Sequence, residues 1–279
     1  MRAGSQTGRG KQMETNQYII DYYSNYDEDG RLGSRRGAIE FLTTMRYIEK
    51  YLMPGDRILE IGAATGRYSH NLARKGYTVD TVELVEHNIN IFKQNTKHGE
   101  DVTITQGNAM DLSAFADNTY DITLLLGPLY HLYSQSDKRQ AVGEAIRVTK
   151  QNGIIFAAYV LSDSCILFEG FINGRINIAE FIDKGLIDPQ TFETHSGPKD
   201  LFELVRKEHI DDLMSIFPVT RLHYVATGGC ARYSQCMRDA LDAMNEETFE
   251  LLLRYHFATC EREDLSGISS HSLDIFRKV

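Results

Sequence analysis

Three stretches predict an α/β fold built on a doubly wound, seven-stranded, mostly parallel sheet with helical insertions. The first is Ile58-Leu59-Glu60-Ile61, an apolar run with one acid, followed by the small-residue loop Gly62-Ala63-Ala64-Thr65-Gly66 and a helical pattern from Arg67 to Leu72. Strand, tight loop and helix are how such a sheet presents a nucleotide-sized ligand at the carboxyl ends of its strands. The second is Thr78-Val79-Asp80-Thr81-Val82-Glu83, about twenty residues on, an apolar strand ending in a carboxylate that can accept both hydroxyls of a ribose. The third is Tyr120-Asp121-Ile122-Thr123-Leu124-Leu125-Leu126, whose nearly continuous apolar character fits a strand buried on both faces. The first two stretches, at this spacing, point to an adenosine-containing ligand.

The elements follow in order. Residues 1–12 are basic, contain Gly and Ser and lack periodicity, so they read as a disordered extension. Residues 13–53 form an N-terminal helical cap. Its first half carries Tyr18, Tyr22, Tyr23 and Tyr26, and its second half, Ala38 to Leu52, places Ile39, Leu42, Met45, Ile48 and Leu52 at helical spacing and stops before Pro54. Residues 54–279 form the main domain. After the two strands above come Val102–Gln106 as a third, the Tyr120–Leu126 strand, a helix from Lys138 to Lys150 capped by Asn152-Gly153, and a fifth strand, Ile154–Val160. Residues 161–210 are irregular, with phenylalanines interspersed among glycines. Some fifty residues is too long for a plain crossover, and such an insertion is expected to be a lid or binding element. A short helix over Asp211–Phe217, a sixth strand over Arg221–Ala226, an added helix over 231–262 with Leu241, Met244, Phe249, Leu252, Leu253 and Phe257 on its apolar positions, and a last strand over Leu273–Phe276 complete the chain.

Composition narrows the function. Of 279 residues, 42% are hydrophobic, enough for a sizeable core. No run of eighteen apolar residues occurs and the N-terminus has no signal-peptide core, so a cytoplasmic protein without membrane attachment is expected. Cys165, Cys230, Cys236 and Cys260 make no C-x-x-C pair, and the nine histidines make no H-x-x-x-H pair, so neither disulfide nor metal is expected. A formal net charge of −9 suits a small-molecule partner better than nucleic acid, whose ligands usually present a basic face.

The dinucleotide fingerprint G-x-G-x-x-G and the phosphate loop G-x-x-x-x-G-K-[ST] are both absent. Glu60, two residues before the first glycine, suits a ligand with a cationic end. Here the chain resembles class I S-adenosylmethionine-dependent methyltransferases of the bacterial small-molecule type, whose first motif, E/D-x-G-x-G-x-G, appears as Glu60-Ile61-Gly62-Ala63-Ala64-Thr65-Gly66, with Ala64 in place of the middle glycine. The resemblance covers residues 50–160 closely. It implies a Rossmann-like methyltransferase fold with an antiparallel last strand, and S-adenosyl-L-methionine as cofactor. By position it implies a cofactor site of Glu60, Gly62, Ala63, Ala64, Thr65, Gly66 and Tyr68 from the first motif, and Glu83 and Leu84 from the second strand end. Asn108, Ala109 and Met110 follow the third strand, Leu126 and Gly127 the fourth, and Tyr23 comes from the cap. Asn108 stands where the family usually has Asp facing the adenine amino group, and its carbonyl can accept the same hydrogen bond.

The segment Gly127-Pro128-Leu129-Tyr130-His131-Leu132 matches the stretch that in the family passes beside the methyl group. His131 is the leading candidate for a general base and Tyr130 the next, each with the alternative of packing against the cofactor pocket. The N-terminal tyrosines could close over the cofactor, their ring faces favouring its sulfonium, or simply pack as an aromatic helix face. Arg31, Arg35 and Arg36 could hold a carboxylate or be solvated. The reading is methyl transfer to an O or N atom of a small molecule by a monomer or homodimer. The alternatives are an RNA- or protein-directed methyltransferase and a non-catalytic S-adenosylmethionine-binding protein. The absent dinucleotide fingerprint and Glu60 speak against a nicotinamide-dependent oxidoreductase.

Overall fold

The computed structural model describes residues 16–26, 34–229 and 235–279, without the side chains of Arg36 and residues 235–238. Residues 1–12 and Arg31 therefore lie outside the described residues, as do Cys230 and the side chains of Arg36 and Cys236.

At the centre of the sheet lies β1 (Arg57–Ile61), flanked by β2 (Thr78–Glu83) and β3 (Val102–Gln106) on one side and β4 (Tyr120–Leu125) and β5 (Thr149–Leu161) on the other. All these neighbours pair in parallel. The order is completed by β8 (His271–Lys278) and β7 (Val219–Ala226), to give β3-β2-β1-β4-β5-β8-β7. β8 is antiparallel to both of its neighbours. Strand order reverses at β1 and β4, which is where a doubly wound sheet opens a crevice.

Both faces of the sheet are covered because its inner strands are apolar on both sides. Leu59 and Ile61 pack on one face with Ala141, Val142 and Ala145 of α5 (Gln135–Val148) and Ile210 and Leu213 of α8 (Lys207–Met214). Ile58, Ile122 and Leu124 pack on the other with Met45 and Ile48 of α2 (Arg35–Tyr51) and Leu72 of α3 (Arg67–Arg74). Each such side chain, fully withdrawn from water, contributes about 1.5–3 kcal/mol. α2 begins at Ser34, whose Oγ accepts the Gly37 N–H at 3.1 Å, and ends at Tyr51, three residues before Pro54. A short helix, α1, spans residues 16–23, and α4 (Glu86–Asn95) follows β2.

Four elements depart from expectation. α5 stops at Val148, and Asn152-Gly153 do not cap it; they lie within β5, where the pairing with β4 slips between Tyr120 and Ile122 and Asn152 takes φ +65°. The insertion is not irregular throughout. It holds α6 (Ser162–Cys165) running into a π-helical turn (Ile166–Ile172), α7 (Ile178–Asp183), and the two-residue strand β6 (Leu204–Val205) beside β5. The helix expected over Asp211–Phe217 is α8, displaced toward the N-terminus. The added helix is two, α9 (Gln235–Ala243) and α10 (Glu246–Thr259). Asn245 separates them, because its side chain accepts the Thr248 N–H at 2.8 Å and starts a new helix. A last short helix, α11 (Glu263–Ser266), precedes β8. Among the described residues no helix is long and apolar enough to cross a membrane.

Candidate active site

A cleft opens at the carboxyl ends of β1, β2 and β4. Its walls include Glu60 to Thr65, Arg67, Tyr68, Val82 to Leu84, Asn88, Gly107 to Ala109, Leu126 to Pro128, Tyr130 to Leu132 and, from α1, Asn16, Ile19 and Tyr23. The loop after β1 can be built only with its glycines. Gly62 has φ +80°, and a Cβ on it would meet Pro128 Cδ at 2.8 Å; Gly66 has φ +90°, and a Cβ would meet Phe92 Cδ2 at 2.4 Å and His70 Nε2 at 2.6 Å. Gly66, absent from the cleft wall, lets α3 turn away from the strand. Ala64 also sits in the left-handed region, at φ +48°. That costs about 1–2 kcal/mol for a residue with a side chain. Its N–H donates to Glu83 Oε2 at 2.9 Å, which holds the strained loop in place.

Two buried carboxylates face this cleft. Glu83, 6% exposed, accepts N–H groups from Ala64 and Val85, each at 2.9 Å, and from the Asn88 side chain at 3.3 Å. Burial raises its pKa and these three donors oppose the rise. Glu60 is 2% exposed and accepts from the Ser69 hydroxyl. Burial drives its pKa from 4.5 up to about 8, against the weaker opposing effect of Ser69. At neutral pH Glu60 is mostly protonated, and an approaching cation would draw its proton off.

Asn108 lies beside the cleft, with Oδ1 accepting the Met110 N–H at 2.9 Å across a tight turn. One oxygen lone pair is left for a second donor. Met110, expected at the cofactor, is absent from the cleft wall and packs, partly buried, against the main core. Arg35 does not face the cleft. It donates to the carbonyls of Leu241 and Met244 and to Glu246, at 2.9 Å for the last, and so ties α2 to α9 and α10. Arg67, which the sequence did not single out, does line the cleft. Its guanidinium carbon stands 4.7 Å from the centroid of the Phe41 ring, and its Nε is buried without a partner.

The opposite wall starts after β4. Gly127, at φ +143°, leads into a 3₁₀ turn, Pro128–His131, that presents Tyr130 and His131. His131 is 7% exposed. Its Nδ1 lies 2.8 Å from the Leu201 carbonyl, which can only accept, so Nδ1 carries the proton. Nε2 then holds the lone pair that accepts the Tyr23 hydroxyl at 3.0 Å. Burial lowers the His131 pKa to about 4, so the ring is neutral at physiological pH. Leu201 takes φ +64°, and its carbonyl accepts a second donor, the Tyr133 hydroxyl, at 2.7 Å. Next to it, the Phe202 ring lies 5.3 Å from His131, 5.9 Å from Tyr130 and 6.0 Å from Tyr22.

The structure therefore brings Glu60, Gly62, Ala63, Ala64, Thr65, Tyr68, Glu83, Leu84, Asn108, Ala109, Leu126, Gly127, Tyr130, His131 and Tyr23 to one cleft. Sequence reasoning missed Asn16, Ile19, Asn88, Arg67 and the insertion residues Leu201 and Phe202. Asn88 and Arg67 carried a signal, standing one helical turn past Glu83 and directly after Gly66. Leu201 and Phe202 carried none, because only the return of β6 to the edge of β5 places them. Among the described residues no cluster could hold a metal ion, and Cys165 and Cys260 are free thiols.

Comparison with known proteins bears on this site. The family model of the methyltransferase domain matches residues 59–157, the stretch that holds β1 to β5 and most of the cleft. The demethylmenaquinone methyltransferase of Renibacterium salmoninarum is 32% identical over 107 residues, 38% of this chain and 42% of that protein. The glycine/sarcosine N-methyltransferase of Aphanothece halophytica is 27% identical over 160 residues, 56% of this chain and 58% of that one. The chain thus spans less than half the length of the first of these relatives. The solved N-methyltransferase NodS of Bradyrhizobium japonicum, in complex with S-adenosyl-L-homocysteine, superimposes with a TM-score of 0.57 over 95% of this chain and 98% of its own, at 13% identity, a likeness of fold. Residues 59–157 thus match a methyltransferase domain, and the fold is the one seen in S-adenosylmethionine-dependent methyltransferase structures.

Proposed function

We propose that the protein transfers a methyl group from S-adenosyl-L-methionine to an O or N atom of a small-molecule acceptor. One observation carries the reading: the cleft joins a pinned carboxylate at the second strand end, Glu83, to a neutral His131–Tyr23 pair across from it. When bound, the cofactor supplies a methyl carbon activated on a sulfonium, whose bonding pair stays with sulfur as the acceptor's lone pair takes the carbon.

The residues present suit that group. Glu83 is oriented to accept ribose hydroxyls. Glu60, poised at about 8, would give up its proton to pair with an α-ammonium. The unpartnered Arg67 Nε is a donor for an α-carboxylate. Leu84, Ala109 and Asn108 offer an apolar slot with one polar edge for adenine. Tyr23 closes over the cleft from α1, beside the buried Ile19. Excluding water there strengthens every polar contact within.

His131 supports positioning more than proton abstraction. A ring whose pKa has fallen to about 4 is a weak base at neutral pH, yet its Nε2 accepts the Tyr23 hydroxyl and holds that oxygen where it could accept a hydrogen bond from an acceptor. This favours an acceptor nucleophile already free of its proton at neutral pH, an amine in its free-base form or an acidic hydroxyl. In calorimetry, S-adenosyl-L-homocysteine should bind and NAD should not. Glu83→Ala removes charge-assisted hydrogen bonds of about 1.5–3 kcal/mol each and should weaken that binding ten- to a hundredfold. His131→Asn should lower turnover while changing cofactor affinity less than threefold. Tight NAD binding would overturn the assignment, and unaltered affinity in Glu83→Ala would leave that carboxylate a plain strand end.

A further inference from the structure

The insertion carries a second, partly open cavity, of about 350 Å³, beside about 130 Å³ in the cleft itself. Its walls are mainly apolar, among them Ile166, Ile178, Phe181, Leu186, Phe202 and Leu204. Thr194, His195, Ser196, Lys199 and Asp200 add polar and charged groups to the wall; Thr194 donates its hydroxyl to the Leu204 carbonyl and Asp200 accepts the Gly197 N–H. An apolar cavity of about 150 Å³ takes up benzene, and sites for small molecules begin near 300 Å³. The space matches a body of two fused rings or the equivalent aliphatic bulk.

Position gives this cavity its meaning. Phe202 belongs to its wall, and the same ring lies against His131 and Tyr130, which belong to the wall of the cleft. Phe202 thus links the wall of the cavity to the side chains of the cleft wall. That ring follows Leu201, whose strained backbone is held by His131 and Tyr133 through a single carbonyl. On its other side β6 pairs with the carboxyl end of β5, and Glu203 forms an ion pair with the buried Lys138 at 2.7 Å. This segment is anchored from both sides, and strain in a residue so anchored is a mark of functional positions.

We infer that this cavity receives the body of the methyl acceptor, an apolar small molecule about two rings in size whose nucleophilic atom reaches past Phe202 to Tyr23 and His131. The inference rests on the methyl-transfer reading of the cleft and adds the substrate class to it.

The probe is 6-propionyl-2-dimethylaminonaphthalene, a neutral two-ring dye whose emission shifts to the blue in apolar surroundings, titrated into the full chain. It should bind with a blue shift, and saturating S-adenosyl-L-homocysteine should not displace it. Leu186→Trp fills the cavity and should weaken dye binding at least tenfold while S-adenosyl-L-homocysteine affinity stays within twofold. If that variant fails to fold, Leu186→Gln, of similar volume but polar, should weaken the dye at least threefold with the same unchanged cofactor-product affinity. Absence of dye binding, equal binding by the variants, or full displacement by S-adenosyl-L-homocysteine would each overturn the inference. Dye binding that the variants abolish, in a chain that binds no S-adenosyl-L-homocysteine, would overturn the methyl-transfer reading and with it the acceptor role, leaving an apolar binding site.

Discussion

The two walls of the cleft are held by different physics. On the side of β1 and β2, rigidity comes from backbone. Glycines at φ +80° and +90° shape the loop, and Glu83 gathers the N–H groups of Ala64 and Val85. On the side of the insertion, side chains do the holding. Aromatic rings of Tyr22, Tyr130, His131 and Phe202 lean on one another, and one strained carbonyl at Leu201 ties them to the turn after β4. A wall made of backbone tolerates little change and suits an invariant ligand. A wall made of packed side chains can be altered residue by residue, which suits the half of the site that chooses the acceptor.

The contrast is most directly broken at two glycines. Gly66→Ala puts a Cβ 2.4 Å from Phe92 Cδ2 at a φ of +90°, so backbone strain and overpacking add together. It should lower the unfolding free energy by roughly 2–6 kcal/mol in urea titration. Gly170→Ala in the insertion also brings a Cβ to 2.4 Å, but from Ile178 Cδ1, the end of a flexible side chain, and at an ordinary φ. Its cost should stay below about 2 kcal/mol. Equal losses at both positions would erase the distinction between the walls.

Glu60 offers a pH test on the backbone-built side. Its proton is held up to about pH 8 in the folded chain, but leaves near the ordinary 4.5 once the chain unfolds. Between those values the folded state binds more protons, so stability falls as pH rises, by up to about 1.4 kcal/mol per unit, and the loss is constant above pH 8. Glu60→Gln removes the titration. The variant should gain roughly 2–4 kcal/mol over the parent at pH 9 and match it near pH 4.5, while binding S-adenosyl-L-homocysteine more weakly. Parallel stability–pH curves for the two proteins would show that Glu60 ionises freely and that the cleft is wetter than its burial implies.

The smallest effect is expected at Ala64, where the loop lacks its middle glycine. Ala64→Gly relieves left-handed strain of about 1–2 kcal/mol and costs about 0.5–1 kcal/mol of backbone entropy. Thermal unfolding should register a net gain of at most about 1.5 kcal/mol. A loss would show that the Cβ of Ala64 makes packing contacts worth more than the strain it carries.

How much of this was legible follows the same division. Ile58 to Gly66, Glu83, Asn108 and the turn at Tyr130–His131 were readable because each stands at the end of an apolar strand, and parallel order brings strand ends together. Arg67 and Asn88 could have been read from the turn of helix beside each motif. The split of α9 from α10 was not readable as such: Met244 continues the apolar pattern, and only capping by Asn245 ends one helix and begins the next. Asn152-Gly153 looked like a helix cap because the same residues suit a left-handed cap and a strand irregularity. Arg35 was left open between an anion ligand and a solvated side chain because its sequence neighbourhood says nothing of the Leu241 and Met244 carbonyls it meets.

By itself, then, the sequence determined the alternating strands and helices, the glycine loop and the carboxylate at the second strand end. These depend on local periodicity and on spacing along one strand-loop-helix unit, which survive without knowledge of distant contacts. Tertiary structure alone decided that Met110 packs against the core while Arg67 lines the cleft, that Tyr23 reaches His131 across 108 positions, and that Phe202 joins the wall of a second cavity to His131 and Tyr130 of the cleft. Those facts arise from long loops closing over the sheet. Closure of a long loop is set by the contacts at its ends and by the strain they can hold, neither of which leaves a period in the sequence.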